Sequence, residues 1–179
     1  RGLGDVYKRQ IVQLMTKKLA NVVETLIAPS DKIRKILEGY QVSCPVEVIP
    51  SGIHLEKYQL CKKEDWRKKI RMQLGISQDA LVLVYVGRMA KEKNIEELLE
   101  YQQDAGKSGV ILVLVGDAPY LPELKKKVEE LKLAKNVIFT GMIIPEEVGR
   151  YYQAGDLFVS ASTSETQGMT YAEALAGGI

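Results

Sequence analysis

The chain has 179 residues, 46% of them hydrophobic, and its 25 basic and 23 acidic side chains leave a net charge of +2. That length suffices for one sizeable domain, or one and a half, with a buried core, and the charge balance gives no reason to expect nucleic acid as a partner. No apolar run approaches the roughly 20 residues that span a bilayer, and the N-terminus lacks the apolar stretch of a secretory signal, so the expectation is a cytoplasmic protein.

Residues 1–10, RGLGDVYKRQ, do not continue the apolar periodicity that begins at Ile11. They resemble a translated sequencing-adapter tail and are set apart from the fold; a frayed native terminus would be treated in the same way. The pattern then predicts a helix over Ile11 to Val22, a short strand in ETLIAPS, a helix over DKIRKILEGY and a strand in VEVI. Pro50, Ser51 and Gly52 close this part with a turn. Residues 53–75 read as a linker followed by an amphipathic helix from about Glu64 to Leu74.

From residue 76 onward the alternation is regular. Apolar runs LVLVYVG, VILVLVG, NVIFTG and DLFVSA are separated by helical segments that begin near Asn94, Pro119, Pro145 and Gly168. Continuous apolar strands imply burial on both faces, and strand–helix–strand spacing implies right-handed crossovers, which together predict an α/β doubly wound parallel sheet. The strands end at or near Gly87, Gly116, Gly141 and Ser160, where backbone can approach a ligand at the carboxyl edge. In the strand order 3-2-1-4 the ligand sits where the order reverses, between the first and fourth strands. The loops that matter are therefore those after LVLVYVG and DLFVSA.

The first of these is GRMAKEKN, Gly87 to Asn94. It sets Arg88 and Lys93 before a helix whose start is marked by Asn94 and Glu97, a predicted N-cap and capping-box partner. A guanidinium and an ammonium beside a helix N-terminus suit a diphosphate and would stabilise one as it leaves. The same residues also read as a solvated, charged loop. The second loop, SETQGMTYAEALAGG, places Glu165 in the turn and the amides of Gln167, Gly168, Met169 and Thr170 at the next helix N-terminus, a second anion-binding element. Glu173, one turn along, is placed to accept the two hydroxyls of a ribose. Thr170 and Glu173 equally fit a Thr-x-x-Glu capping box.

Other chemistry fits poorly. Cys44 and Cys61 have neither metal-site spacing nor histidine company and read as free thiols. The single histidine, His54, has no partner histidine and no nucleophile motif nearby. AGKS at Ala105 to Ser108 lacks the first glycine of a P-loop, position 101 being Tyr, and it precedes a strand where a P-loop opens a helix. No Gly-x-Gly-x-x-Gly follows the first strand, against a nicotinamide enzyme, and no Asp-x-Asp pair offers a metal clamp. The helix KKEDWRKKIRMQLG carries six cations and two anions between Lys62 and Gly75. It reads either as a surface docking on anionic membrane or as a solvated face with Trp66 and Ile70 packed inward.

Taken together, GRMAKEKN, VGDAPY, VIFTGMI and SASTSETQGMTYAEALAGG resemble, in order and spacing, the retaining glycosyltransferases of family 4, which have the two-domain type B fold. The Glu, seven residues, Glu signature is complete at Glu165 and Glu173. SETQGMTYAEALA, with IPSGIHLEKY upstream, looks most like the bacterial diacylglycerol glucosyltransferases, which build membrane glycolipids from UDP-glucose. The resemblance implies a diphosphate-binding pair in Arg88 and Lys93, a carboxylate near the donor sugar in Glu165 and a ribose ligand in Glu173. It implies contacts to sugar and phosphate from the amides of Gln167, Gly168, Met169 and Thr170, approach of the Gly87 backbone, and backbone contacts to the base from Met142 and Ile143. His54 departs from the family, which usually has Asp there.

The same resemblance implies that 11–52 is the end of an acceptor domain, 53–75 the interdomain linker and basic helix, and 76–179 a donor domain without its last strands, so that the chain is expected to be an inactive fragment. The implied partners are a UDP-sugar donor and a lipid acceptor reached by peripheral attachment to the inner face of the membrane, with no metal or other cofactor. Transfer of another sugar to a saccharide or polysaccharide, and a nucleotide-sugar-binding module without catalysis, are the alternatives.

Overall fold

A computed structural model describes residues 3–59 and 63–179. Their contacts divide the chain between Gly52 and Ile53 into two compact units. The first contains α1 (Leu3–Ala20), β1 (Leu26–Ala28), α2 (Asp31–Gly39) and β2 (Val46–Val48). The two strands are parallel, with Leu26 opposite Val46 and Ala28 opposite Val48, and α2 is their crossover. Ser30 starts α2 from an extended backbone, its Oγ accepting the Ile33 N–H at 3.4 Å. α1 begins at Leu3, upstream of Ile11 where the apolar pattern begins. Once a helix is nucleated each further residue adds one hydrogen bond for the conformation it fixes, so a turn with no apolar face can still continue it.

The second unit contains α3 (Glu56–Gln59), α4 (Lys63–Gln73), β3 (Val82–Val86), α5 (Ile95–Ala105), β4 (Ile111–Val115), α6 (Leu121–Glu130), β5 (Val137–Gly141), α7 (Val148–Ala154), β6 (Leu157–Phe158) and α8 (Met169–Ala176). Its sheet has the order β5-β4-β3-β6 with every pairing parallel. In chain order that is 3-2-1-4, the order expected, so strand order reverses between β3 and β6. Alternation along the strands builds two cores. Val82, Val84, Val86, Val113 and Val115 face one side with Ile70, Tyr151, Tyr152 and Ala174 from α4, α7 and α8. Tyr85, Leu112 and Leu114 face the other with Ile95, Leu99, Leu124 and Val128 from α5 and α6. Helices on both faces make the sheet doubly wound.

β6 is shorter than the run DLFVSA suggests, with two ladder residues. Beside it Asp156 turns its carboxylate into the sheet, Oδ2 accepting the Val82 N–H at 2.8 Å, while the Val159 N–H still reaches Val84 O at 2.9 Å. The carboxylate also receives Arg67 at 2.6 Å and Arg71 at 2.8 Å, both from α4. Arg71 has no exposed surface and further donates to the carbonyls of Gln78, Ala80 and Ala154. Trp66 packs toward the core beneath the Arg150 guanidinium, 4.1 Å from the ring centre, and Ile70 is buried. The basic helix thus spends Trp66, Arg67, Ile70 and Arg71 on the sheet and α7.

Cys44 is a half-buried free thiol, whereas Cys61 lies outside the described residues together with Lys62. His54 is exposed. Among the described residues no helix is long and apolar enough to cross a membrane.

Candidate functional site

The carboxyl edge of the sheet is shaped by two glycines in contact. Gly87, which ends β3, has φ +153° and donates its N–H to Val115 O at 3.0 Å. Gly116, which ends β4, has φ +137°, and a Cβ there would lie 2.0 Å from Gly87 O. No other residue type fits at Gly116 without moving Gly87. The loop that follows is anchored by Met89, fully buried, and by the Tyr85 hydroxyl, which donates to Arg88 O at 3.0 Å. A 3-10 turn over Lys91–Lys93 then leads to Asn94 with φ +52°.

That left-handed residue corrects one expectation. Asn94 does precede α5, but its side chain caps no backbone N–H; its amide instead donates to the Glu97 carboxylate. An N-cap side chain reaches the helix amides from an extended backbone, which Asn94 lacks. The helix start is where the sequence placed it, and the capping box is absent.

The loop after β6 ends at Gly168, φ +70°, which is the N-cap of α8. Thr170 is therefore inside the helix and cannot be the first member of a capping box with Glu173, so that reading of Glu173 is also corrected. Glu173 Oε2 instead accepts the hydroxyl of Tyr152 at 3.0 Å, and the same hydroxyl lies 3.3 Å from Thr170 O.

The two loops meet directly. Lys93 Nζ lies 2.8 Å from Glu165 Oε1, both side chains being largely buried. Around this ion pair is an open cleft of about 300 Å³ with Gly87, Arg88 and Lys93 on one side and Glu165, Gly168, Met169 and Thr170 on the other. Arg88 is mostly exposed and pairs with Glu92 on its own loop. The α8 N-terminus opens on the cleft, bringing the positive end of the helix toward it. Two cations and a helix N-terminus converging on an open cleft can hold a diphosphate, and Glu165 can accept hydroxyls of a group attached to it.

The remaining expected site residues lie at or near this edge without lining the cleft. Glu173 stands behind Thr170, linked to it through Tyr152. Gln167 falls in the loop between two lining residues, Thr166 and Gly168. Met142 and Ile143 follow β5, two strands from β3 at the same edge; Met142 is exposed and Ile143 packs on the core. Among the described residues no three His, Cys, Asp or Glu side chains converge as a metal site would require.

Tyr85, Val86, Ser160 and Thr166 complete the lining and were not among the expected site residues. Ser160 was legible as a small residue at a strand end. Tyr85 carries a weaker signal, a phenol inside an apolar strand two residues before the strand-end glycine. Burial first, and then the nearby carboxylates Glu165 and Glu92, push the Tyr85 hydroxyl far above its ordinary pKa, so it stays protonated and donates.

Residues 66–179 match the family model described as glycosyl transferases group 1. The alpha-monoglucosyldiacylglycerol synthase of Streptococcus pneumoniae is 40% identical over 98% of this chain, and that of Acholeplasma laidlawii is 36% identical over 86%. The chain spans about two fifths of the length of these curated relatives, 40% and 39%. Among solved structures, Anabaena HepE in complex with UDP and glucose superimposes with a TM-score of 0.82 at 23% identity, over 93% of this chain and 46% of that one.

Proposed function

The chain belongs to the group 1 glycosyl transferases, and from that premise we propose that it carries the donor site of a retaining glucosyltransferase that moves glucose from UDP-glucose to a lipid hydroxyl such as that of diacylglycerol. The observation that carries this reading is the cleft at the switch point, where Arg88 and Lys93 face Glu165 and the α8 N-terminus. The relatives named as alpha-monoglucosyldiacylglycerol synthases support the lipid acceptor, and with it a site of action at the membrane surface. Residues 11–52 are proposed to belong to the acceptor side of the enzyme, and 76–179 to the donor side.

In this reading the bond between the anomeric carbon of glucose and the β-phosphate oxygen breaks, and its electrons pass to the diphosphate. Arg88, leaving Glu92, and Lys93 neutralise that charge as it develops, together with the first amides of α8. Lys93 is held between the loops by Glu165, so it is oriented before the donor arrives. Glu165 accepts sugar hydroxyls through its remaining lone pairs, and Glu173 accepts those of the ribose. The acceptor hydroxyl adds to the face that the diphosphate leaves, which retains the anomeric configuration, and its proton is lost to the departing phosphate oxygen.

The test is an assay of the intact protein with radiolabelled UDP-glucose and diacylglycerol. Wild type gives labelled glycolipid, and Arg88→Ala and Lys93→Ala each lower turnover by about 100-fold or more. Unchanged turnover in both variants overturns the assignment. Transfer to a saccharide in place of diacylglycerol selects the other acceptor class, and binding of UDP without product under any acceptor selects the binding module.

A further inference from the structure

Glu173 is the ribose ligand in the reading above, yet nothing in its own helix orients it. Its partners come from elsewhere in the fold. Tyr152, on α7, is fully buried, and its hydroxyl bridges Glu173 Oε2 and Thr170 O. A Cβ at Gly177 would lie 2.8 Å from the Tyr152 Cβ, so the residue that caps the end of α8 closes directly on Tyr152. The Tyr58 ring meets Tyr152 edge-on at 6.1 Å, and the phenol lies near enough to Glu173 to feel its charge. Tyr58 lies on the short helix α3, which is held against α7 by two features. Gln153 Nε2 donates to Tyr58 O at 2.8 Å, and Gly149 lacks the Cβ that would sit 2.8 Å from Lys57 O. Burial, then the charge of Glu173, raises the pKa of both phenols, to about 12 for Tyr58 and higher for Tyr152, so both remain donors at neutral pH.

We propose that Tyr152, with Tyr58 packed against its ring, is a positioning residue that holds the Glu173 carboxylate through its hydroxyl and sets it to discriminate a ribose from a 2′-deoxyribose in the nucleoside diphosphate. This rests on the donor-site reading. An ionised carboxylate has roughly four acceptor positions. The Tyr152 hydroxyl occupies one of them, which restrains the group and leaves the others for the two hydroxyls of a ribose. A flexible exposed glutamate would accept the same hydroxyls but would first have to be ordered, and its preference for the 2′-hydroxyl would be correspondingly small. Both phenols keep their rings in place when the hydroxyl is removed, so the hydrogen bonds can be separated from the packing.

The experiment is calorimetric titration of the full chain with UDP and with 2′-deoxy-UDP, for wild type, Glu173→Gln, Tyr58→Phe, Tyr152→Phe and the double phenylalanine variant. Wild type is expected to bind UDP about tenfold more tightly than 2′-deoxy-UDP, the worth of a hydrogen bond to a charged group. Tyr152→Phe lowers that ratio by about threefold, toward that of Glu173→Gln, while Tyr58→Phe serves as the packing control and leaves it unchanged, and the double variant behaves as Tyr152→Phe. Equal losses of affinity for both nucleotides in Tyr152→Phe, or an unchanged ratio in it, overturn the positioning role while leaving the donor site standing. No binding of UDP to wild type overturns the donor-site reading and the positioning role with it, whereas an unchanged ratio in Glu173→Gln with UDP still bound overturns the ribose role of Glu173, and so the positioning role, and leaves the donor site standing.

Discussion

Lys93 and Glu165 stand 72 residues apart in the chain and 2.8 Å apart in space, and their contact ties the loop leaving β3 to the loop leaving β6 across the point where strand order reverses. Side chains 21% and 29% exposed are shielded enough for the pair to be worth more than an ordinary surface bridge, yet each keeps access to the cleft. A double-mutant cycle on Lys93→Ala and Glu165→Ala, followed by urea denaturation, is expected to give a coupling of about 1 kcal/mol. A coupling indistinguishable from zero would mean that the loops are held together by packing and that Lys93 is not oriented in advance.

The contact between Gly87 and Gly116 predicts a sharp contrast between two glycines of similar chain position. At Gly116 a methyl group would meet Gly87 O at 2.0 Å, while at Gly109, φ +77°, it would meet nothing within 4 Å. Gly109→Ala is expected to cost only the left-handed backbone penalty of about 1 kcal/mol. Gly116→Ala should cost distinctly more, and should also weaken UDP binding, because the only relief is displacement of Gly87 and the Arg88 loop. Equal thermal shifts for the two variants would show that Gly87 moves without consequence.

The sheet was legible because its strands are buried on both faces and so appear as unbroken apolar runs, and each ends beside a small residue. Strand order followed from the crossover pattern, and with it the pair of loops that form the cleft. What local pattern could not supply were contacts made by tertiary structure. Thr170 and Glu173 have the spacing of a capping box, but the helix start is decided by the left-handed Gly168, and Glu173 goes to Tyr152 instead. Asn94 and Glu97 likewise occupy the right positions with the wrong backbone. Tyr152 looks like an ordinary core residue in sequence, since nothing about a tyrosine announces which carboxylate its hydroxyl will meet. The pairing of Arg71 with Asp156 spans 85 residues and turns an apparently solvated cation into a buried one.

That reassignment of the basic helix makes a prediction about membranes. Trp66 is the single tryptophan, packed on the core and stacked under Arg150. Its emission is therefore expected to be unmoved by vesicles of anionic phospholipid, because this ring is not free to insert. A blue shift on vesicle addition, lost in high salt, would instead support α4 as a docking surface.

The Asp156 cluster sets a pH dependence whose sign is fixed by its neighbours. Burial works against the charged carboxylate, but the Val82 amide and the guanidinium groups of Arg67 and Arg71 outweigh it, holding its pKa below the usual aspartate value. Above that ordinary value the carboxylate is charged in folded and unfolded chains alike, and its stabilisation is fully present. As pH falls, the unfolded chain takes up the proton first, so stability drains away and is lost once pH passes below the folded-state pKa. Asp156→Asn keeps the shape and removes the charge, leaving the fully buried Arg71 with neutral acceptors alone. It is expected to cost about 2 to 3 kcal/mol near neutral pH, somewhat under the range for breaking a fully buried pair because Asp156 is partly exposed. Urea midpoints of wild type and variant should differ widely at about pH 7 and draw together as the pH falls below the ordinary aspartate value of about 3.9. A difference that stays constant over that range would show that Asp156 contributes by hydrogen bonding and packing, with no part played by its charge.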